Sequence, residues 1–406
     1  MPKYIAMNRV VTKPIPVNEP VLSEESKKNV NDALETGWIS SAGKYVSEFE
    51  ASFAEFLGVK YAVTVSNGTA ALHLAILSLG IGKGDEVIVP AFTMAATWLA
   101  VIHTGAKPVF VDCEPDTYNI DPSLIESKIT KKTKAIIPVH IYGHPAEMDS
   151  ILKIARKYQL FVIEDAAEAH GAEYKGKKCG SLGDINCFSF YANKIITTGE
   201  GGMVVTNDEH LAKEARKLKD LYHSDQKRFI HEKIGYNYRL TNMQAALGCG
   251  ELKHIDQYVA KKQHLAGLYS RLLKDIPGIR LPTTRPSVKN VFWMYSILID
   301  ERKLFLTRDD LKAKLKERNI DTRDFFYSPS DQPVLEPYLS IEDRFPVTDF
   351  ISRRGLYLPS GLAITDQQIK AVVKNVKEIV GETLAETEIY HKTFTPAKPV
   401  QNPVKK

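Results

Sequence analysis

Short, unbroken apolar runs alternate with helix-length segments between residues 61 and 208, and this rhythm limits the fold more than any other feature. YAVTV, EVIVP, KPVFVD, TKAIIPVH, LFVIED, CFSFY and GMVVTND carry apolar side chains at nearly successive positions. A strand that is apolar on both of its faces must be covered on both, which indicates a mostly parallel sheet with helices on either side. SNGTAALHLAILSLG and MDSILKIARKYQ supply helices between the strands. Ahead of them, residues 23–34 read as a first helix stopped at Gly37. Phe49, Phe53, Phe56 and Leu57 then recur at helical spacing.

After about residue 250 the texture changes. A polar helix pattern runs from Leu252 to Leu273, followed by the strand-like FWMYSILI and the helix-like TRDDLKAKLKERN and DQQIKAVVKNVKEIV. The expected layout is an extended arm (1–20), a large α/β domain (21–250), a smaller α+β domain (251–390) and a disordered Lys/Pro-rich tail (391–406).

Composition removes several function classes. With 44% hydrophobic and 25% charged residues in 406, disorder of the whole chain is excluded. No window approaches about 18 uninterrupted apolar residues and the first residues lack a signal-peptide core, so a membrane-spanning or secreted protein is not expected. Four cysteines without a C-x-x-C pair fit a reducing, cytoplasmic setting. The net charge is +5, but Lys392, Lys398, Lys405 and Lys406 supply four of those charges within an acid-free tail. The remainder is near neutral and gives no case for nucleic-acid binding. No cluster has metal-ligand spacing, so no metal is expected.

Three pieces then point to one ligand. Asp165 ends LFVIED, and a carboxylate at the C-terminal end of a parallel strand faces the crevice where such sheets bind ligands; taken alone it reads equally well as a helix cap. Lys194 follows the strand CFSFY beside the Gly-rich TTGEGG turn, where an ordinary surface lysine would also be at home. Ser66 or Asn67 caps a helix that opens with Gly68 and Thr69, an anion site of free N–H groups and positive dipole. A phosphate cradle, a carboxylate and an amine on one sheet edge are what pyridoxal 5'-phosphate requires. The carboxylate keeps the pyridine nitrogen protonated and the lysine bonds to the aldehyde carbon.

IEDAAEAHGA, GDINCFSFYANKIITTGEGGMVVTND and GYNYRLTNMQAALG resemble the nucleotide-sugar aminotransferases of the DegT/DnrJ/StrS group, over residues 15–388 or so. The resemblance implies a fold-type I transferase using pyridoxal 5'-phosphate, L-glutamate (leaving as 2-oxoglutarate) and a nucleotide-linked ketosugar. GWISSAGKYVSEFE, PVHIYGHPAEMD and FWMYSI are most similar to the branch that aminates C4 of GDP-4-keto-6-deoxymannose. A dTDP- or UDP-linked sugar aminated at C4 or C3 is the neighbouring alternative. A dehydratase or a non-enzymatic regulator is more remote, because lysine stands at 194 and no DNA-binding module precedes the first helix.

The same resemblance assigns roles. Lys194 matches the cofactor lysine, Asp165 the partner of the ring nitrogen, and Glu168 the residue near the phenolic oxygen. Gly68, Thr69 and Ser189 match phosphate positions. Asn237 matches a phosphate ligand given by the other subunit, which implies a homodimer with shared sites. Met94 stands where relatives stack an aromatic ring, with Phe92 a possible substitute. Trp38 and Ser40 match a segment near the sugar, and Arg239 and Tyr295 are expected against the diphosphate. Tyr327 and Ser330 lie in FFYSPSDQP, a loop expected to face the nucleotide-sugar that departs from relatives, with Ser328 and Ser330 where Pro and His are frequent. His73 is expected in the core; His170 is open between a cofactor contact and a structural role.

Overall fold

Seven strands form the large sheet: β1 (Tyr61–Val65), β2 (Glu86–Pro90), β3 (Lys107–Val111), β4 (Thr133–Ile136), β5 (Phe161–Asp165), β6 (Ile185–Ser189) and β7 (Gly202–Thr206), side by side in the order β1-β7-β6-β5-β4-β2-β3. Only β7 runs against its neighbours; every other pairing is parallel. Both β6 and β7 are buried at all five positions, in keeping with their largely apolar sequences. The structure is a computed structural model and describes residues 13–227 and 229–394. None of its helices is long and apolar enough to cross a membrane.

The helices form where the sequence places them. Ser23 caps α1 (Glu24–Glu35), accepting from the Ser26 N–H at 3.0 Å. In α2 (Lys44–Leu57), Phe49 and Phe53 turn inward and meet Phe188 and Phe190 of the sheet side at 4.9–5.3 Å between ring centroids. Helix α3 (Gly68–Ser78) is apolar around most of its circumference because it lies between the sheet, α4 (Ala95–His103) and the helix Glu209–Lys219.

The helix expected from Leu252 to Leu273 forms over Ile255–Leu273, and a break at Lys253–His254 separates it from a preceding helix, Asn242–Leu252. The preceding helix is fixed independently by a capping box between Thr241 and Gln244. It also packs too closely for side chains at two positions. A Cβ on Gly248 would lie 2.6 Å from Phe49, and one on Gly250 would lie 2.5 Å from Ser26.

A second, antiparallel sheet joins β8 (Ile279–Arg280), β9 (Tyr295–Ile299), β10 (Arg323–Asp324) and β11 (Gly355–Leu358) in the order β8-β9-β11-β10. Helices Ile255–Leu273, Arg308–Glu317 and Asp366–Phe394 cover it with a common apolar core. The last helix continues through 391–394, past the expected start of the tail; residues 395–406 lie outside those described. The described part of the arm is no free extension. Ile15 is buried, its N–H donates to Asn319 O at 2.9 Å, and Val17 O accepts from the Ser360 N–H at 3.0 Å.

Beneath the C-terminal edge of β5, Glu164 is fully buried and accepts N–H donors from Gly180, Leu182 and Gly183 at 2.6–2.9 Å. His140 Nε2 donates to it at 2.8 Å, while His140 Nδ1 accepts from the Ala146 N–H at 3.0 Å. Cys179 completes a cluster whose potential ligand atoms all lie within 4.8 Å of one another. The spacing in sequence gave no sign of this group. Its histidine and carboxylate are committed to hydrogen bonds that tie β4, β5 and the 180–183 turn together. Cys179 and Glu164 raise the His140 pKa against its burial, while the Ala146 N–H, which needs the Nδ1 lone pair, favours the neutral ring.

Candidate active site

A cavity of about 760 Å³ opens at the C-terminal ends of β5 and β6 and extends toward the second sheet. Asp165, the last residue of β5, is buried on its wall. One carboxylate oxygen accepts from the Thr97 hydroxyl at 2.8 Å and the other from the Ala167 N–H at 3.2 Å. Burial pushes its pKa up, while Thr97 and Ala167 work in the opposite sense. A carboxylate with two donors retains lone pairs for a third.

Lys194 rises from the turn after β6. Its Nζ lies 4.0 Å from Glu168 Oε1 and 3.8 Å from the centroid of the Trp293 ring. Desolvation lowers the lysine's pKa, opposed by Glu168 and Asp165. Glu168 is itself buried, and its other oxygen accepts the Tyr142 N–H at 2.7 Å. Burial raises its pKa to about 7 against the pull of Lys194.

The cavity floor is the N-terminus of α3. Asn67 caps it, accepting the Ala70 N–H at 2.8 Å. Gly68 and Thr69 occupy the first turn, whose N–H groups have no partner within the helix. Backbone and side chains close in around this point. A Cβ on Gly68 would meet Ser189 Cβ at 2.7 Å, and one on Gly202 would lie 2.4 Å from Asn67 O. The glycines of TTGEGG therefore do more than turn the chain: Gly202 lets β7 pass beside the helix start.

Gly68, Thr69, Met94, Asp165, Glu168, Ser189 and Lys194 thus share one cavity. Met94 is 52% exposed and caps α4 through its sulfur, which accepts the Ala96 N–H at 3.1 Å. Phe92 does not substitute for it; that ring is buried among Tyr142, Phe325 and Phe326. Asn237 is exposed and outside this chain's own cavity, although Tyr238 beside it is on the wall.

Several expected sugar contacts are elsewhere. Tyr295 belongs to the core of the second sheet, stacked on Tyr269 at 4.7 Å with its hydroxyl on Ser270. The preceding residues, not Tyr295, face the site, because β9 points this ring away from it. Arg239 pairs with Asp220. Trp38, 59% exposed, lines a separate cleft of about 330 Å³ with Lys44, Tyr45 and Asn242, and Ser40 lies beside it on the surface. Tyr327 and Ser330 are exposed next to the cavity rather than in its wall, and the Tyr327 hydroxyl donates to Asp324 at 3.2 Å. His170 is buried between Phe188 and Phe190. His73 is buried as expected but reaches the wall, with Nδ1 3.3 Å from the Tyr238 hydroxyl.

Reading the sequence missed Trp293, Tyr142 and Arg323. Arg323 lines the cavity from β10 and has no carboxylate partner among the described residues. The neighbouring acid, Asp324, is taken by Lys312 at 2.8 and 2.9 Å. A lone arginine ahead of FFYSPSDQP carries no signal until the second sheet is seen to close over the first.

The model of the DegT/DnrJ/EryC1/StrS aminotransferase family matches residues 20–377. The chain belongs to that family. The GDP-perosamine synthase of Escherichia coli O157:H7 is 42% identical to it over 370 residues, 91% of this chain and 100% of that protein. The dTDP-3-amino-3,4,6-trideoxy-alpha-D-glucose transaminase of Streptomyces venezuelae is 40% identical over 83% of this chain and 87% of its own length. Among solved structures, DesV of S. venezuelae superposes with a TM-score of 0.82 at 39% identity, covering 88% of this chain and 94% of that one.

Family members depend on pyridoxal 5'-phosphate, and the residues present fit it. The glycine-lined helix start has room for a phosphate only because no Cβ fills it. The buried Asp165 has acceptor capacity to spare. The Lys194 amine reaches the cavity with no hydrogen-bonded partner closer than the carboxylate at 4.0 Å.

Proposed function

We propose that this aminotransferase moves the amino group of L-glutamate to C4 of GDP-4-keto-6-deoxy-D-mannose, giving GDP-perosamine. The observation that carries the reading is the end-to-end match, at 42% identity, to a protein of that name. The cavity supports it chemically. It is long enough to extend from Lys194 to the second sheet, and the Arg323 guanidinium favours an anionic amino donor.

In this reading Gly68, Thr69 and Ser189 hold the cofactor's phosphate, Asp165 faces its ring nitrogen, Glu168 lies near its phenolic oxygen, and Met94 covers one face. Asn237 serves the site of a second copy in a homodimer, and the enzyme works in the cytoplasm. When bound, the cofactor supplies an electron sink that lets a proton leave the amino donor's α-carbon. Lys194 Nζ takes that proton, and later returns one to the sugar's C4 on a single face. Burial suits the amine to this work, since a lysine at its ordinary pKa stays protonated near neutrality. Asp165 stays buried and holds the ring nitrogen's proton, and the packed walls around Glu168 and Tyr142 exclude water.

The experiment is a visible absorption spectrum in two steps. Glutamate is expected to shift the cofactor band, and GDP-4-keto-6-deoxymannose alone to restore it, with the amino sugar identified by mass. Restoration by dTDP-4-keto-6-deoxyglucose or a dTDP-3-ketosugar instead would move the substrate, the second reading that the 40% identical S. venezuelae transaminase favours.

A further inference from the structure

Lys194 must be held when it is not bonded to the cofactor. Each half-reaction frees its amine, and a lysine side chain has rotamer freedom to lose before it can deliver a proton to one face. The free Nζ here has two neighbours. Glu168 Oε1 is at 4.0 Å, and the face of Trp293 is at 3.8 Å from its centroid. Trp293 comes from the segment leading into β9, so it reaches across from the second sheet.

The same side chain also holds the backbone under the lysine. Trp293 Nε1 donates to Asn193 O at 2.8 Å, and Asn18 Nδ2 from the arm donates to the same oxygen at 3.1 Å. A single carbonyl, one residue before Lys194, is thus gripped from two elements far away in sequence. The arm segment Asn18–Pro20, Lys262 and Leu362 pack around this joint.

We propose that Trp293 is a positioning residue for Lys194: its ring seats the free ammonium between the half-reactions, and its indole N–H fixes the turn from which the lysine projects. The charged and titratable groups facing the amine are Glu168 and Asp165 on the β5 side, His170 behind them, and Lys262 and Glu19 at the joint below. Asp165 and Glu168 remain in any Trp293 variant, so a change on removing the ring reports the ring. A ring face over an ammonium stabilises the charged form. Removing it lowers the amine's pKa and makes the lysine nucleophilic at lower pH.

The proposal rests on Lys194 being the cofactor lysine, and that is checked separately. Borohydride reduction of the wild-type holoenzyme followed by peptide mass mapping is expected to find the cofactor fixed on Lys194; finding it elsewhere sinks the assignment. The holoenzyme, converted with glutamate so that Lys194 is free, is then labelled with trace acetic anhydride across pH 6–11. Trp293→Leu is expected to move the Lys194 labelling midpoint down by up to about one pH unit. Trp293→Phe, which keeps a ring and loses the N–H, is expected to hold the midpoint within about 0.3 unit while kcat falls and KM does not. Equal midpoints in wild type and Trp293→Leu, with the adduct on Lys194, overturn the proposal. So does an equal shift in both variants, because that would trace to packing or to the N–H alone. Should Trp293→Leu not fold, Trp293→Met replaces it and is judged by the same midpoint.

Discussion

The amine of Lys194 stands 4.0 Å from a carboxylate oxygen of Glu168, and burial pushes the two pKa values toward each other: the lysine's down, the acid's up to about 7. Two groups shifted toward each other exchange a proton at less cost than they would in water. That suits a lysine that must alternate between acid and base. Lys194→Ala is expected to lower kcat by at least about 10³-fold with an unchanged melting temperature. Aminated sugar formed at more than a hundredth of the wild-type rate would remove Lys194 from the chemistry.

The cradle at the start of α3 tolerates no side chain. Gly68→Ala puts a Cβ 2.7 Å from Ser189 Cβ. Cofactor affinity is expected to fall more than about tenfold, an energy of about 1.4 kcal/mol, as followed by quenching of tryptophan fluorescence. Equal affinity in Gly68→Ala would place the phosphate elsewhere.

Arg323 offers the cavity a guanidinium that has no carboxylate partner among the described residues. Arg323→Gln is expected to raise KM for glutamate roughly ten- to a hundredfold, matching the loss of a charged hydrogen bond of about 1.5–3 kcal/mol. KM for the nucleotide-sugar should stay within about twofold. The reverse pattern in steady-state kinetics would assign Arg323 to the diphosphate.

The His140–Glu164 pair is fully buried and lies outside the cavity. Replacing His140 by Leu leaves a buried carboxylate short of one donor, and the expected loss is about 3–5 kcal/mol in urea unfolding. A loss below about 1 kcal/mol would mean that the three N–H donors to Glu164 suffice.

Acid should weaken the fold before it protonates ordinary carboxylates. Burial depresses the pKa of His73 and His144 to about 4 and that of His170 to about 3. A depressed folded pKa means that the stabilisation is complete above the unfolded value of about 6.5 and is lost as pH falls toward the folded value. Glu168, raised to about 7, opposes this with one proton. Asp165, Glu114 and Glu251, which burial also raises, oppose it further, so stability should fall between pH 6.5 and 4.5 by less than the roughly 4 kcal/mol per pH unit of three protons. Urea melts that give a flat profile over this range would show that these histidines are hydrated.

The large sheet was legible because its strands are apolar at nearly successive positions, a pattern set by burial on both faces. Asp165, Lys194 and the Gly68–Thr69 helix start were legible because each ends or follows such a strand. Tyr295 was misplaced because alternation along β9 decides which face a residue takes, and FWMYSILI is too uniformly apolar to reveal it. Trp293 and Arg323 escaped notice because their roles depend on how the second sheet meets the first, a long-range relation without a local signature. The helix Asn242–Leu252 was not read from the sequence because Gly248 and Gly250, which let it pack against Phe49 and Ser26, are poor helix formers.

The first residues described are among the last to find their places. Ile15 pairs with backbone at Asn319–Ile320, and Val17 with the Ser360 N–H, partners that are made about 300 residues later in the chain. Until then Asn18 has nothing to brace against, and the carbonyl beneath Lys194 is held from one side at most. A chain can therefore carry a finished sheet and still lack a steadied lysine.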